Sequence, residues 1–209
     1  MIKIENHDVY GWEAAVRGMR NPMNSWDKSD STFAPVFAPP AEYIPDIGEA
    51  DLALMMKLAK AGSTHAKYRR MITVTVDITA PLYWWKEFDT YKVGTVANSC
   101  STMHKIHAKP FVLDDFSHEH NKYVTHLELI ITLLNSARNA FLETNDKEFW
   151  YTMIQTLPTS YNQKRTVMMN YEVLAGMYRD RKKHKLDEWV DFCEWVRELP
   201  YSQIITLDK

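Results

Sequence analysis

The strand and helix patterns of this sequence are distributed unequally between its two halves. Residues 70–78 are rich in β-branched side chains, which is typical of a strand. From residue 119 onward the apolar side chains recur with the helical period, and the longest such stretch covers 119–142. Further helices are predicted at 146–156, 162–179, 185–197 and 200–205. This distribution predicts a single α+β domain over 1–209, with a small sheet in the first half and helices in the second.

The first half also carries helices and one long loop. Helices are predicted at 8–20, at 50–61 and, opened by Pro81, at 82–89. The segment 21–47 has no period and is interrupted by Pro22, Pro35, Pro39, Pro40 and Pro45. Prolines break helices and central strands, so this segment is predicted to be a long loop. Polar residues between Arg17 and Lys28 surround Trp26, and they indicate either an anion or nucleotide contact or a capped loop pinned by Trp26.

The net charge of the chain bears on its partners, and its cysteine content bears on its cellular compartment. The net charge of −2 gives no long-range attraction to nucleic acid or to a membrane, so neither partner is expected. No apolar run approaches the ~18 residues of a membrane span, and the first residues lack the apolar stretch of a signal peptide. The two cysteines, Cys100 and Cys193, are too few for a disulfide framework. We therefore expect free thiols and a cytoplasmic location.

Metal and thiol chemistry have weak support in the sequence. Histidines and aspartates are concentrated between residues 104 and 126, but no pair has the spacing of a zinc-binding helix and no cysteine pair lies near them. No metal site is predicted. Cys100 lies close to His104 in sequence, which does not by itself activate a thiol, so a buried structural cysteine is the favoured interpretation.

Anion binding has two candidate segments. Lys92 precedes Gly94 and Thr95 and a run of hydroxyl side chains that ends at Thr102, a combination that suits a phosphate. Cationic side chains also crowd the end of a predicted helix, at Arg179, Arg181, Lys182, Lys183 and His184. The alternative for this second segment is a solvated basic helix end that complements the helix dipole.

A recurring order of motifs runs through the chain from Asp51. A leucine-bearing helix leads into a glycine, a histidine, a strand and an Ala-Pro step, here Leu52 to Leu58, Gly62, His65, 70–78 and Ala80-Pro81. The second half continues with Leu157-Pro158, Asn170, Leu174 and Arg181. In this order and spacing the chain resembles the flavin-dependent thymidylate synthases over roughly residues 50–198.

The most specific mark of that family, an Arg-His-Arg signature, is not retained. Counted without gaps, its positions hold Thr90, Tyr91 and Lys92. The following Ser-x-Asn-Glu-x-Ser-x-Arg run falls on Thr95 to Thr102, where only Thr95 is chemically close; a one-residue insertion places Asn98 and Ser101 on the Asn and the second Ser. Of a later family motif, only His184 and Glu188 survive.

The resemblance implies the family's fold and binding sites for FAD and for a deoxynucleotide monophosphate such as dUMP. In the family, the Asn at position 170 contacts the flavin ring and the Arg at position 181 contacts the pyrimidine nucleotide. Cofactor contacts are implied for Asn170, His65 and Lys92. Substrate contacts are implied for Arg181, Thr95, Asn98, Ser99, Ser101 and Thr102.

The resemblance also implies a reaction and an assembly. The family methylates dUMP, with a reduced folate as one-carbon donor and flavin hydride as reductant. Because the signature is missing, two alternatives stay open: a different nucleotide-modifying reaction, or a non-catalytic nucleotide-binding or interaction module. No catalytic residue is predicted. A homo-oligomer, with the family's homotetramer as the leading state, is also expected because helix 119–142 and the aromatic segment Tyr83, Trp84, Trp85 and Phe88 carry more apolar surface than one small sheet covers.

Overall fold

The computed structural model describes residues 2–33 and 45–207. Its strands are β1 Lys3–Tyr10, β2 Thr73–Pro81, β3 Thr95–Ser99 and β4 Asn162–Asn170, paired in the order β1-β2-β4-β3. Its α-helices are α1 Trp12–Arg20, α2 Glu49–Lys60, α3 Leu82–Phe88, α4 Val124–Thr144, α5 Lys147–Thr156, α6 Tyr171–Arg181, α7 Asp187–Glu198 and α8 Gln203–Thr206. Short 3-10 helices lie at Asn21–Met23, Trp26–Lys28, Lys67–Arg70 and Leu113–Asp115. The predicted α+β class is confirmed.

Two strands lie where the sequence predicts helix. β4 occupies the first half of the helix predicted at 162–179, so the prediction that the second half contains no strand is wrong. Along β4, Gln163, Val167 and Met169 are buried whereas Thr166 and Met168 are exposed, which is the two-residue period of a half-buried strand.

β1 likewise extends to Tyr10, inside the helix predicted from residue 8. Gly11, at φ 92, separates β1 from α1. A Cβ on Gly11 would lie 2.0 Å from the carbonyl oxygen of Met71, so this position excludes a side chain.

Part of the predicted long loop 21–47 lies outside the described residues, including Pro35, Pro39 and Pro40. Its described ends contain the two 3-10 helices at Asn21–Met23 and Trp26–Lys28. Among the helices of the described chain, none is both long and apolar enough to cross a membrane.

Contacts along the chain group it into two compact units. Unit 1 comprises the described parts of Met1–Lys3, Ile78–Thr90 and Asn98–Arg165. Unit 2 comprises the described parts of Ile4–Asp77, Tyr91–Ala97 and Thr166–Lys209. The single domain over 1–209 stays a prediction, and the two units are described separately below.

Unit 1 has an aromatic core and a helical hairpin. In α3, Trp84, Trp85 and Phe88 are buried, and the indole of Trp85 donates to the carbonyl of Gln163 at 2.9 Å. The prediction that this aromatic segment presents uncovered apolar surface is therefore wrong, because α3 packs its rings within the unit. The hairpin of α4 and α5 surrounds a second apolar cluster that includes Leu134 and Met153.

Unit 2 contains a buried ion pair that organises its N-terminal segment. Nε of Arg20 donates to Oδ1 of Asp51 at 2.6 Å, and the two side chains are 5% and 0% exposed. The other carboxylate oxygen of Asp51 accepts from the hydroxyls of Ser29 at 2.7 Å and Ser31 at 2.6 Å. Trp26 is 51% exposed, and its indole donates to Oδ1 of Asn21 at 2.8 Å within the same segment. The buried contact that joins the segment to α2 is made by Arg20.

Candidate functional site

A cleft of about 550 Å³ opens in unit 2. Its walls come from the end of α2, the turn after it, the 3-10 helix at Lys67–Arg70, α6 and α8. The volume falls within the ~300–1,000 Å³ typical of small-molecule sites. Four cationic side chains line the cleft, namely Lys60, Arg69, Arg179 and Lys182, against the single carboxylate of Glu172. Arg179 also forms an ion pair with the neighbouring Asp180 at 2.9 Å, and the excess of positive charge that remains suits an anionic ligand.

Arg69 is the most buried of the four cations. Its side chain is 5% exposed, and Nε lies 3.0 Å from Oε2 of Glu172, an ion-pair distance at which the hydrogen-bond angle is not met. One terminal nitrogen, Nη1, donates to the carbonyl of Ile204 at 3.1 Å. Arg69 is therefore held between α6 and α8, where it lines the cleft as a fixed cation.

The wall formed by α6 contains Gly176 in the middle of the helix. Glycine in a helix interior costs about 0.5–1 kcal/mol relative to alanine. A Cβ on Gly176 would meet no atom within 4 Å, so no packing contact in unit 2 requires the glycine. The missing side chain leaves the helix backbone accessible from the cleft.

A second cluster lies on another face of α6. Nε of Arg181 donates to the hydroxyl of Tyr91 at 2.9 Å, and the guanidinium lies 4.9 Å from the ring centroid of Trp189. Arg179 and Arg181 are two residues apart, which places them about 200° apart around the helix. The cleft and the Arg181 cluster are therefore separate surfaces of unit 2.

Three predicted site residues of unit 2 lie in or next to the segment that carries Tyr91. Lys92 is exposed, and the hydroxyl of Thr95 donates to the carbonyl of Tyr91 at 2.6 Å. Oδ1 of Asn170 accepts from the backbone N–H of Val173 at 3.0 Å, so Asn170 caps the N-terminus of α6 and does not lie near its middle. A Cβ on Gly94 would lie 2.9 Å from Nδ2 of Asn170, which explains why this close approach requires glycine.

His65 lies at the turn that follows α2. Its backbone N–H donates to the carbonyl of Gly62 at 3.0 Å, and its side chain is exposed. Gly62 and Ser63 of the same turn line the cleft, whereas His65 does not. The cofactor contact implied for His65 stays a prediction.

The remaining predicted residues belong to unit 1. Asn98 and Ser99 are exposed at the end of β3. Ser101 and Thr102 line a polar cavity of about 300 Å³ whose other side chains include Cys100, Lys109, Asp115 and Tyr161. Nζ of Lys109 lies 2.6 Å from Oδ1 of Asp115. Burial, followed by the charge of Asp115, raises the pKa of Tyr161.

The structure corrects one expectation about the cysteines and bears on metal binding. Cys100 is exposed, so its interpretation as a buried structural thiol is wrong, because it lies at the open rim of the unit 1 cavity. Cys193 is buried, and burial raises the pKa of its thiol to about 12.

Within residues 2–33 and 45–207, no three metal-ligating side chains come together.

Two residues of the Arg181 cluster were not predicted as site residues. Tyr91 occupies the middle position of the missing signature. Its position could therefore have marked it as a site residue, although tyrosine is not the residue type of the signature. Trp189 lies where the chain departs from the later family motif, and no local pattern pointed to it. Arg179 and Lys182 belong to the predicted cationic segment, but the cleft that they line was not predicted, because its walls come from segments far apart in sequence.

Comparison with solved structures identifies the fold. The crystal structure of the flavin-dependent thymidylate synthase ThyX from Helicobacter pylori, complexed with FAD and dUMP, matches with a TM-score of 0.73 at 15% identity, over 98% of this chain and 97% of that one. A second ThyX structure from Helicobacter pylori with FAD and dUMP matches with a TM-score of 0.74 at 15% identity, over 99% and 97% of the two chains. The UMP/dUMP methylase PolB from Streptomyces cacaoi, bound with 5-Br dUMP, matches with a TM-score of 0.63 at 12% identity, over 99% and 94%.

These matches show first that the chain has an α+β fold. More narrowly, the fold is that of the flavin-dependent thymidylate synthases, as the motif order predicted. No protein-family model matches the chain, and no curated protein matches its sequence.

Proposed function

We propose that the chain binds a flavin nucleotide, FAD, in the cleft of unit 2 and a pyrimidine deoxynucleotide monophosphate through Arg181 and Lys92. The observation that carries the proposal is the cleft itself: a concave site with four cations and one carboxylate, with bare helix backbone at Gly176. Its support from comparison is that the similar ThyX structures were solved with FAD and dUMP.

The residues that line the cleft differ in charge and in burial, so they suit different parts of FAD. Lys60, Arg179 and Lys182 are exposed and suit phosphates, whereas Arg69 and Glu172 lie deeper and suit a polar ring edge. Ala175 and Gly176 carry at most a methyl group, so they leave room for an aromatic ring beside the helix. When bound there, the flavin would supply hydride chemistry, while the residues of this chain would bind and orient it.

The proposed nucleotide site uses other residues than the family's signature. Arg181 is oriented by the hydroxyl of Tyr91 and by the ring of Trp189, which restricts the guanidinium before any ligand binds. Lys92 provides a second cation on the Tyr91 segment. Convergence of these cations with Ser99, Ser101 or Thr102 on one phosphate stays a prediction.

The reaction has one leading candidate, dUMP methylation with a reduced folate, which is the family's reaction. A different nucleotide-modifying reaction and a non-catalytic binding module are the alternatives, because Thr90 and Lys92 stand at the two arginine positions of the signature. Thr90 cannot hold a phosphate with paired N–H bonds as arginine does, and Lys92 provides only a point charge.

Two measurements on the purified protein separate these functions. Absorbance near the flavin bands, followed by titration with FAD, tests cofactor binding. Titration with dUMP and UMP, followed by assay for transfer of a labelled one-carbon unit from reduced folate, tests the reaction. Absence of FAD binding by both absorbance and titration would contradict the proposal, whereas binding without transfer would select the module or another reaction.

Removal of either cation of the nucleotide site is expected to weaken binding of a deoxynucleotide monophosphate by about tenfold or more. Charge-assisted hydrogen bonds to phosphate contribute about 1.5–3 kcal/mol each. The variants are Lys92→Ala and Arg181→Ala, measured by calorimetric titration with dUMP, and both effects should shrink at high salt because partly exposed charges are screened. Lys183→Ala is the matched control, since Lys183 is an exposed cation of the same segment that lines neither surface. Equal loss in the control would show that the effect is non-specific charge.

Substitution of Asn170 is expected to affect both the helix and the cofactor. Loss of the cap in Asn170→Ala should cost about 1 kcal/mol of stability, since the Val173 N–H loses its acceptor. The resemblance implies a flavin contact at Asn170, which does not line the cleft, and loss of that contact should also lower FAD affinity by about 1–3 kcal/mol. Asn170→Ser is the control, because serine also caps helices but cannot replace the amide group. Equal FAD affinity in Asn170→Ser and wild type would show that Asn170 serves only as a cap.

A further inference from the structure

The short helix α8 forms one wall of the cleft in unit 2 and is anchored to the rest of that unit. Its residues Ile204 and Ile205 are buried, and Nη1 of Arg69 donates to the carbonyl of Ile204 at 3.1 Å. Because burial and this hydrogen bond fix α8, the residues at its end have a defined position on the cleft wall. These residues are Thr206 and Leu207.

Leu207 ends α8 in a backbone conformation that leucine rarely adopts. Its φ of 55 and ψ of 13 lie in the left-handed region, and its N–H donates to the carbonyl of Gln203 at 3.1 Å. In that region the Cβ of an L-residue crowds the following carbonyl oxygen, so glycine or asparagine is usual at such a helix end. Leu207 is also 37% exposed. Neither the backbone nor complete burial therefore accounts for a leucine at this position.

Another wall of the same cleft has the opposite property, because α6 lacks a side chain there. A Cβ on Gly176 would meet no atom of the described chain within 4 Å, and the neighbouring Ala175 carries only a methyl group. The cleft thus combines a bare stretch of helix backbone with the partly exposed apolar side chain of Leu207. This combination suits a flat ring, since one face can lie beside the backbone while an apolar group covers the other.

The cations of the cleft indicate what the ring is attached to. Lys60, Arg179 and Lys182 are exposed at the cleft and suit phosphate groups. A flat heterocycle that is linked to phosphates is the chemistry of a nucleotide, and FAD contains two such rings, adenine and isoalloxazine. An apolar contact with either ring would remove the leucine side chain from water and so add to the affinity.

We infer that Leu207 is a ligand-binding residue, which holds the ring of the bound nucleotide against the α6 backbone at Gly176. The inference rests on the proposed function, because it concerns the same cleft, and it adds an apolar contact to the cations already described. The disfavoured backbone conformation of Leu207 then has a purpose, since it places this side chain at the cleft. Disfavoured conformations of this kind are concentrated at ligand sites.

The inference is tested by calorimetric titration of the full chain with FAD. Leu207→Asn introduces a residue that tolerates the left-handed conformation but removes the apolar contact, so FAD should bind about tenfold more weakly. The midpoint of urea denaturation should equal that of the wild type or rise, because the backbone is no longer disfavoured. Leu207→Met restores an apolar side chain of similar length and should recover most of the lost affinity.

The matched control is Leu142→Asn. Leu142 is an exposed leucine of α4 in unit 1 and is not among the residues that line the cleft, so FAD affinity should not change. Circular dichroism checks the fold, and if Leu207→Asn unfolds, Leu207→Gly decides, because glycine also accepts the left-handed conformation.

Titration with ADP and with FMN identifies the ring, since each carries phosphate and one of the two rings of FAD. Weaker binding of ADP by Leu207→Asn assigns adenine to the contact, and weaker binding of FMN assigns isoalloxazine. FAD affinity equal to that of the wild type in Leu207→Asn, or an equal loss in Leu142→Asn, would overturn the inference and leave the proposed flavin site in place. A wild type that binds none of FAD, ADP and FMN would overturn both.

Discussion

Asp51→Ala is expected to lower the free energy of unfolding by about 3–5 kcal/mol, because it leaves the guanidinium of Arg20 buried without its counter-charge. The carboxylate also accepts hydrogen bonds from the hydroxyls of Ser29 and Ser31 and from the backbone N–H groups of Asp30 and Ser31. Nε of Arg20 would lose its acceptor in a buried position, whereas Ser29 and Asp30 are exposed and can bond to water instead. Because total stability of a domain is only about 5–15 kcal/mol, the variant should be marginally folded.

The same carboxylate should make stability depend on pH. Burial by itself raises the pKa of Asp51, but hydrogen bonds from Ser31, Ser29 and Arg20 outweigh it, so the pKa lies below the ordinary value for aspartate. A depressed folded pKa means that the unfolded chain binds the proton more readily. The stabilisation is therefore present above the ordinary pKa of aspartate and is lost as the pH falls through the folded pKa. Wild type should lose stability in acid more steeply than Asp51→Ala.

Urea denaturation followed by circular dichroism measures both effects, at neutral pH and at steps down to about pH 3. Glu13→Ala is the matched control. Glu13 and Arg17 form an ion pair at 3.7 Å, but their side chains are 69% and 65% exposed, so its loss should cost at most about 0.5 kcal/mol. A loss in Asp51→Ala as small as that of the control would show that the buried network contributes little.

Much of the helical fold was predictable, because the apolar period in this chain is long and clear. The helix predicted at 146–156 matches α5 at Lys147–Thr156, and 185–197 matches α7 at Asp187–Glu198. β4 was missed because its residues Gln163, Lys164, Arg165 and Met168 have side chains that also suit a helix. β4 is a strand because it lies between β2 and β3 and pairs with both of them. A single sequence does not show which strands will be its neighbours.

The candidate site was predictable only where a motif marks a position. Arg181 and the turn at His65 followed from the resemblance, and the structure places Arg181 against Tyr91. The cleft carries no comparable sequence mark. Arg179 was noticed only as one member of a cationic helix end, and no pattern marks Lys60 or Arg69. These cations share a site because α2, α6 and the 3-10 helix at Lys67–Arg70 all contribute to the walls of the cleft.

Gly176 connects the energetics of the fold with the proposed flavin site. Since its missing Cβ would meet nothing in unit 2, the glycine lowers the stability of α6 without a compensating contact in the described chain. A glycine that costs stability and lines a cationic cleft is consistent with a ligand that approaches the helix backbone closely. Stability and binding should therefore respond in opposite directions when a side chain is added.

Gly176→Leu is expected to raise the free energy of unfolding by about 0.5–1 kcal/mol and to weaken FAD binding by about a hundredfold or more. The gain in stability follows from helix propensity, since leucine loses less backbone entropy than glycine in a helix interior. The loss of binding follows from the side chain, which would occupy the cleft where the ligand is proposed to lie.

Gly176→Ala is the graded control, because it adds the helix propensity with only one methyl group. It should show the same gain in stability with a smaller loss of FAD affinity, both measured by urea denaturation and by flavin fluorescence titration. Unchanged FAD affinity in the stable Gly176→Leu variant would exclude the cleft as the flavin site, whereas a fall in stability in both variants would show that the glycine has a structural role.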